Sequence, residues 1–173
     1  MRNNNLIGVG VALITPFKED LTIDFDSLGR LINHLLNNKI DYFVVMGTTG
    51  ESATLSVDEQ DRVISYVVTM VDKEIPIVLG VGGNNTAQVL ERIKSIDFEQ
   101  IEAVLCVCPY YNKPSQTGLI HHYSKIAEAS PVDVMLYNVP SRTGLNMSVE
   151  TIVSLANKYS NIIGVKEASG DIS

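Results

Sequence analysis

At 173 residues, 45% of them hydrophobic, the chain can bury one core but is short for the larger single-domain architectures. A net charge of −7 with no block of like charges argues against a nucleic-acid backbone or an anionic membrane surface as partner. The polar opening, residues 1–6, leads into no long apolar segment, so neither a signal peptide nor a membrane span is expected, and the cytoplasm is the default location.

In chain order, short runs rich in Val, Ile and Leu alternate with longer stretches of helical period. The first run, residues 8–14, precedes a helix over 26–36 with Leu28, Leu31, Ile32, Leu35 and Leu36 on one face and Gly29 as a tolerated weak point. After the run 42–46, Ser56 and Glu59 make a capping box ahead of Val63, Ile64, Val67, Val68 and Val71. The run 75–80 is followed by a helix that opens at Thr86 and carries Val89, Leu90, Ile93 and Ile96. Next comes 103–107, where Cys106 and Cys108, two apart, share a strand face too closely for a comfortable disulfide and read as reduced core thiols. Leu119, Tyr123, Ile126 and Ala127 then repeat the helical spacing, the run 132–137 follows, and Ser148 caps Ile152, Val153, Leu155 and Ala156. The last run is 162–166. Runs without polar alternation, recurring roughly every 30 residues, read as parallel strands covered on both faces. With no linker or low-complexity tract, 1–173 reads as a single domain.

Repeated strand–helix units give an open doubly wound sheet or a closed (β/α)8 TIM barrel, and both place chemistry at the carboxyl ends of strands. After the successive runs stand Thr15-Pro16, Gly47-Thr48-Thr49-Gly50-Glu51, Gly82-Gly83-Asn84-Asn85, Pro109-Tyr110-Tyr111-Asn112, Asn138-Val139-Pro140-Ser141-Arg142-Thr143-Gly144, and the loop behind Lys166. No strand leads into G-x-G-x-x-G with an acidic residue about 20 positions on, so a dinucleotide site loses its best support and the barrel is the better reading.

Lys166 ends an apolar run, where an ammonium taken out of water must be paired or lose its proton, and a neutral lysine amine attacks carbonyl carbon. The plainer alternative is a strand-end lysine snorkelling to solvent. Gly47-Thr48-Thr49-Gly50 reads as a nest of N–H groups and hydroxyls for a carboxylate, or as a tight glycine turn. Tyr111 and Tyr137 are proton carriers near an amine or core-edge tyrosines, and Arg142 is a carboxylate fork or a solvated arginine. His34, His121 and His122 fall on helices without metal-ligand spacing and read as surface or packing residues.

Gly47 to Glu51, Tyr137 to Gly144 and Gly164-Val165-Lys166-Glu167-Ala168 together resemble the pyruvate-dependent class I lyases typified by dihydrodipicolinate synthase, from about Ile7 to the end of the chain. Arg142 sets the resemblance closer to the synthases than to the N-acetylneuraminate lyases, which lack an arginine at that turn. The resemblance implies that Lys166 forms a Schiff base with pyruvate, whose enamine attacks aspartate semialdehyde in the diaminopimelate route to lysine. It further implies that Tyr137 is the general acid and base, that Thr48 links it to Tyr111, and that Thr48 and Thr49 hold the pyruvate carboxylate while Arg142 holds that of the semialdehyde. No metal or organic cofactor is implied. The counterpart of Tyr111 reaches into a neighbouring subunit's site in the family, so the full-length protein is expected as a homodimer or homotetramer. Ala53, Asn84 and Tyr110 match residues lining the family's lysine feedback site, but Gln60 and Gln88 stand where lysine-inhibited relatives carry a histidine and a glutamate, so weak or absent inhibition is expected.

The departure from the family is length: about six of eight strands are present, and the carboxy-terminal strands and helical region are absent. Beside a lyase stand two further readings, a neuraminate lyase or keto-sugar-acid aldolase of the same superfamily, and an inactive fragment or interaction module that kept the motifs.

Overall fold

The computed structural model describes residues 4–171, and these divide into two compact units that meet in sequence at Gly80 and Val81. In the first, β1 (Gly10–Ala12) and β2 (Tyr42–Val45) run parallel in the register Gly10 to Tyr42, and β2 pairs in parallel with β3 (Ile77–Gly80), setting Val44 opposite Val78. Between them lie α1 (Phe25–Asn37), two single turns of 3-10 helix (Thr48–Gly50 and Ser52–Thr54) and α2 (Val57–Val71). Asp24 caps α1 by accepting from the Ser27 N–H at 3.0 Å, and Ser56 with Glu59 forms the reciprocal capping box of α2. Leu28 and Ile32 of α1, Phe43 and Val45 of β2, and Val63 and Val67 of α2 are fully buried, each contributing about 1.5–3 kcal/mol by leaving water.

The second unit repeats the plan with α3 (Thr86–Ser95), β4 (Ala103–Val107), α4 (Gln116–Ala129), β5 (Asp133–Asn138), α5 (Pro140–Thr143), α6 (Val149–Lys158) and β6 (Ile162–Glu167). β4 pairs with β5 and β5 with β6, all parallel. Side-chain oxygens of Asn85, Ser115 and Ser148 cap α3, α4 and α6. Leu119, Tyr123 and Ile126 of α4 and Leu155 of α6 are buried to the last atom. The Tyr123 hydroxyl donates to the Cys106 carbonyl at 3.1 Å, which satisfies the one polar atom that ring carries inside. Cys106 and Cys108 are buried and free, and burial pushes the Cys106 thiol up to about 12.

Several expected boundaries move for local reasons. Gly8 takes φ +119 and the first strand shrinks to β1, although the Leu13 N–H still donates to the Val44 carbonyl at 2.9 Å. β3 starts after Pro76, which has no N–H to donate, although its carbonyl accepts from Phe43 at 3.0 Å. Asn138, expected in a loop, is the last residue of β5, and Glu167 extends β6 by one. Residues 140–143, also expected in a loop, form a helical turn with Pro140 at its first position and Gly144 beyond its end at φ +67. No helix among the described residues is long and apolar enough to cross a membrane.

Candidate active site

The carboxyl ends of β5 and β6 hold the centre of the second unit. Val134 stands opposite Ile162, but Met135 stands opposite Gly164, so β6 carries a bulge at Ile163. Beyond it, Tyr137 pairs with Lys166 and Asn138 with Glu167. Lys166 is half-buried, and its Nζ lies 4.6 Å from the centroid of the Tyr137 ring, itself only 6% exposed. An amine over a phenol ring gains about 0.5–1 kcal/mol of cation–π attraction when charged and has an acid–base group at hand when it reacts.

On the other face of the same strand ends, Asn138 is a hydrogen-bonding hub. Its Nδ2 donates to Asn146 Oδ1 at 2.7 Å and to both Glu167 oxygens, Oε1 at 3.1 Å and Oε2 at 2.9 Å. Its Oδ1 accepts from the Met147 N–H at 3.0 Å, and its carbonyl accepts from the Ala168 N–H at 2.9 Å. The Ser169 N–H donates to Glu167 Oε1 at 2.7 Å. Loss of water around the Glu167 carboxyl acts to raise its pKa, but the hydrogen bonds from Asn138 and Ser169 outweigh that and hold it below the usual carboxylate range. Asn138 and Glu167 were not among the residues singled out from sequence, where the motif showed them only as flanks of the tyrosine and the lysine.

Arg142 lies on α5, exposed, one turn beyond β5. Tyr110 and Tyr111 follow β4 in a loop in which Tyr111 adopts φ +68 and is 89% exposed. Tyr111 is thus held at a backbone angle uncommon for a side chain, with its ring in solvent rather than packed into the core of its own unit. Asn84 precedes α3, and its carbonyl accepts from Asn112 Nδ2 at 3.1 Å, which ties the loops after residues 81 and 108 together.

In the first unit, Thr48 and Thr49 are exposed and open the 3-10 turn that follows β2. The N–H groups of Gly50 and Glu51 are spent on the carbonyls of Gly47 and Thr48, so the donors left for a ligand are those of the turn's first residues and the two hydroxyls. The buried Thr15 hydroxyl donates to the Gly50 carbonyl at 2.7 Å and pins the turn from below. Gly80 at the end of β3 has no room for a Cβ, which would collide with the Met46 carbonyl, so this approach of backbone to backbone requires glycine. Ala53 is exposed in the second 3-10 turn, and Gln60 Nε2 donates to the carbonyls of Ser52 at 3.0 Å and Leu55 at 3.3 Å. Gln88 is exposed on α3.

A 4-hydroxy-tetrahydrodipicolinate synthase from Parabacteroides distasonis is 54% identical over 172 residues, which is 99% of this chain and 58% of the relative. One from Flavobacterium psychrophilum is 52% identical over 166 residues, covering 96% of the chain and 57% of the relative. Among solved structures, the chloride-inhibited dihydrodipicolinate synthase from Acinetobacter baumannii, in complex with pyruvate, superposes with a TM-score of 0.91 at 42% identity over 95% of this chain and 56% of that one. The chain thus spans less than two thirds of the length of the relatives it matches, and its fold class is α/β of the TIM-barrel type, with six strands present. Matched over residues 5–173 by the profile of the Dihydrodipicolinate synthetase family, the chain belongs to that family.

Proposed function

We propose that the chain carries the Schiff-base half of a lyase that condenses pyruvate with aspartate semialdehyde to 4-hydroxy-tetrahydrodipicolinate, in the cytoplasmic synthesis of diaminopimelate and lysine. The observation that carries this reading is the Lys166 amine 4.6 Å from the Tyr137 ring at paired strand ends. The amine attacks the ketone carbon of pyruvate, and loss of water leaves an imine. Tyr137 supplies the proton that makes hydroxide a leaving group and takes one from the methyl group to give the enamine. The enamine carbon then attacks the aldehyde of the semialdehyde, whose oxygen takes up a proton, and the amino group of that substrate adds to the regenerated imine, closing the ring and expelling Lys166 as the free amine. Thr48 and Thr49 hold the pyruvate carboxylate through hydroxyls and N–H groups, and the Arg142 fork holds that of the semialdehyde. Thr48 passes protons between Tyr137 and the Tyr111 that a neighbouring subunit supplies. The exposure of Tyr111 suits a side chain that completes a neighbouring subunit's site in a homodimer or homotetramer. The chemistry runs on the covalent imine and calls for no metal or organic cofactor.

Borohydride reduction in the presence of pyruvate tests the reading, because hydride converts the imine to a stable secondary amine. Intact-protein and peptide mass spectrometry should find one adduct, on Lys166, lost in Lys166→Ala. Absence of any adduct on Lys166, with the Parabacteroides distasonis relative trapping normally alongside, would overturn it.

A further inference from the structure

β6 carries one residue more than its partner strand needs. Continued from Val134 opposite Ile162 without interruption, the pairing would set Tyr137 against Val165; the bulge at Ile163 sets it against Lys166 instead. Because successive side chains point to opposite faces, loss of that bulge would turn the lysine to the far side of the strand. The bulged register therefore decides whether the amine meets the phenol at all.

The residues immediately after the bulged pair are positioned to hold it. Asn138 and Glu167 are opposite one another one step beyond Tyr137 and Lys166, on the other face of the strands. Asn138 is 1% exposed, and both ends of its amide are engaged. One amide hydrogen goes to Asn146 and the other is shared by the two Glu167 oxygens, while Oδ1 accepts from Met147. The Asn138 carbonyl takes the Ala168 N–H, so β6 is gripped through a side chain on one side of Lys166's successor and a backbone bond on the other. Asn146 and Met147 belong to the segment that follows Arg142, so the same amide fixes the end of β6 against the chain that carries the arginine. A buried donor and acceptor satisfied on all sides costs several hydrogen bonds to displace, which is what a register latch requires.

We propose that Asn138, acting through Glu167, is a positioning residue that holds the bulged register of β6 and so keeps the Lys166 amine over the Tyr137 ring. Its bearing on catalysis rests on the reading of Lys166 as the Schiff-base residue. Asn138→Asp keeps the size of the side chain and its acceptor for Met147 but turns a carboxylate on Glu167. Glu167→Gln keeps an oxygen that Asn138 can donate to. Combined, the two exchange donor and acceptor across the strands, and the Asn146 amide can follow by rotating half a turn.

Two readouts separate the latch from the chemistry. Hydrogen exchange at the Met147 and Ala168 amides reports the latch alone, and the rate of the borohydride-trapped pyruvate adduct on Lys166 reports what the latch does for the amine. Asn138→Asp, which keeps the acceptor for Met147, should lose protection at the Ala168 amide and slow trapping by about tenfold to a hundredfold, the order of loss for a reacting group displaced by about 1 Å. The double variant should recover both. Should Asn138→Asp not fold, Glu167→Ala at its exposed position should show the same two losses. Trapping within twofold of wild type in the single variants that break the pair, or losses that the double variant does not recover, would overturn the proposal, since a merely structural amide has no reason to be rescued by a reversed pair. If the wild-type chain forms no adduct, the Schiff-base reading fails, and the latch is then judged by amide exchange: loss and recovery uphold it, unchanged protection overturns it.

Discussion

Lys166 and Tyr137 stand 29 places apart in the chain and meet because β5 and β6 are neighbours with one residue looped out. The lysine was legible in the sequence, since a cation closing an apolar run needs a reason. Its contact with the tyrosine was not, because a bulge depends on the energetics of pairing two strands and leaves no mark on either alone. Tyr137→Phe separates the two properties of the side chain. The ring and its packing remain, so the melting temperature should move little, while the hydroxyl proposed to carry protons is gone. Pyruvate adduct formation on Lys166 should slow by about 10²–10⁴-fold, the usual contribution of a positioned general acid or base. An unchanged trapping rate would mean the proton comes from elsewhere.

At the scale of elements, the helices read well because caps and periodicity are local signals: Ser56, Thr86 and Ser148 open or cap helices as their neighbours require. α5 escaped because four residues between Pro140 and Gly144 are too few to show a period. α3 and α4 are joined by a contact through His122, which the sequence marked only as a surface or packing residue. The His122 Nδ1 lies 2.8 Å from the Thr86 hydroxyl, its Nε2 is buried without a partner, and burial pulls its pKa down to about 4. The native state thus holds His122 neutral while the unfolded chain protonates near pH ~6.5, so the unfolded state binds more protons between those values. Stability from this residue is present above pH ~6.5 and is lost as pH falls toward about 4, by at most about 1.4 kcal/mol per pH unit. His122→Gln should lower stability at pH 7 by about 1–2 kcal/mol through lost packing yet flatten the acid slope by close to one proton. Urea midpoints at pH 7 and pH 4.5 read both, and an unchanged slope would assign the acid sensitivity to other groups.

At the level of the whole molecule, regulation by an effector depends on charges that this chain lacks at two positions. Gln60 spends its amide on the Ser52 and Leu55 carbonyls and Gln88 is exposed and neutral, so neither offers a charge to an effector amine at the positions expected from the family resemblance to face one. A missing charge-assisted hydrogen bond is worth about 1.5–3 kcal/mol, or about 10- to 100-fold in affinity. Condensation by an enzyme carrying this chain should therefore be little affected across about 1–10 mM lysine. Strong inhibition in that range would show that Ala53, Asn84 and Tyr110 suffice without a charged partner.

Taken alone, the sequence determined the class of the fold and the order of its strands and helices, and it nominated residues for chemistry, because these rest on burial patterns, caps and side-chain reactivity read within a few positions. Tertiary structure decided which of those residues meet. It took the pairing of β5 with β6 to bring Lys166 over Tyr137, and the far face of the same pair to engage Asn138 with Glu167. It also placed Tyr111 in solvent at a left-handed backbone angle. Strand register and loop conformation are settled by hydrogen bonds between segments distant in the chain, and composition at either end does not encode them separately.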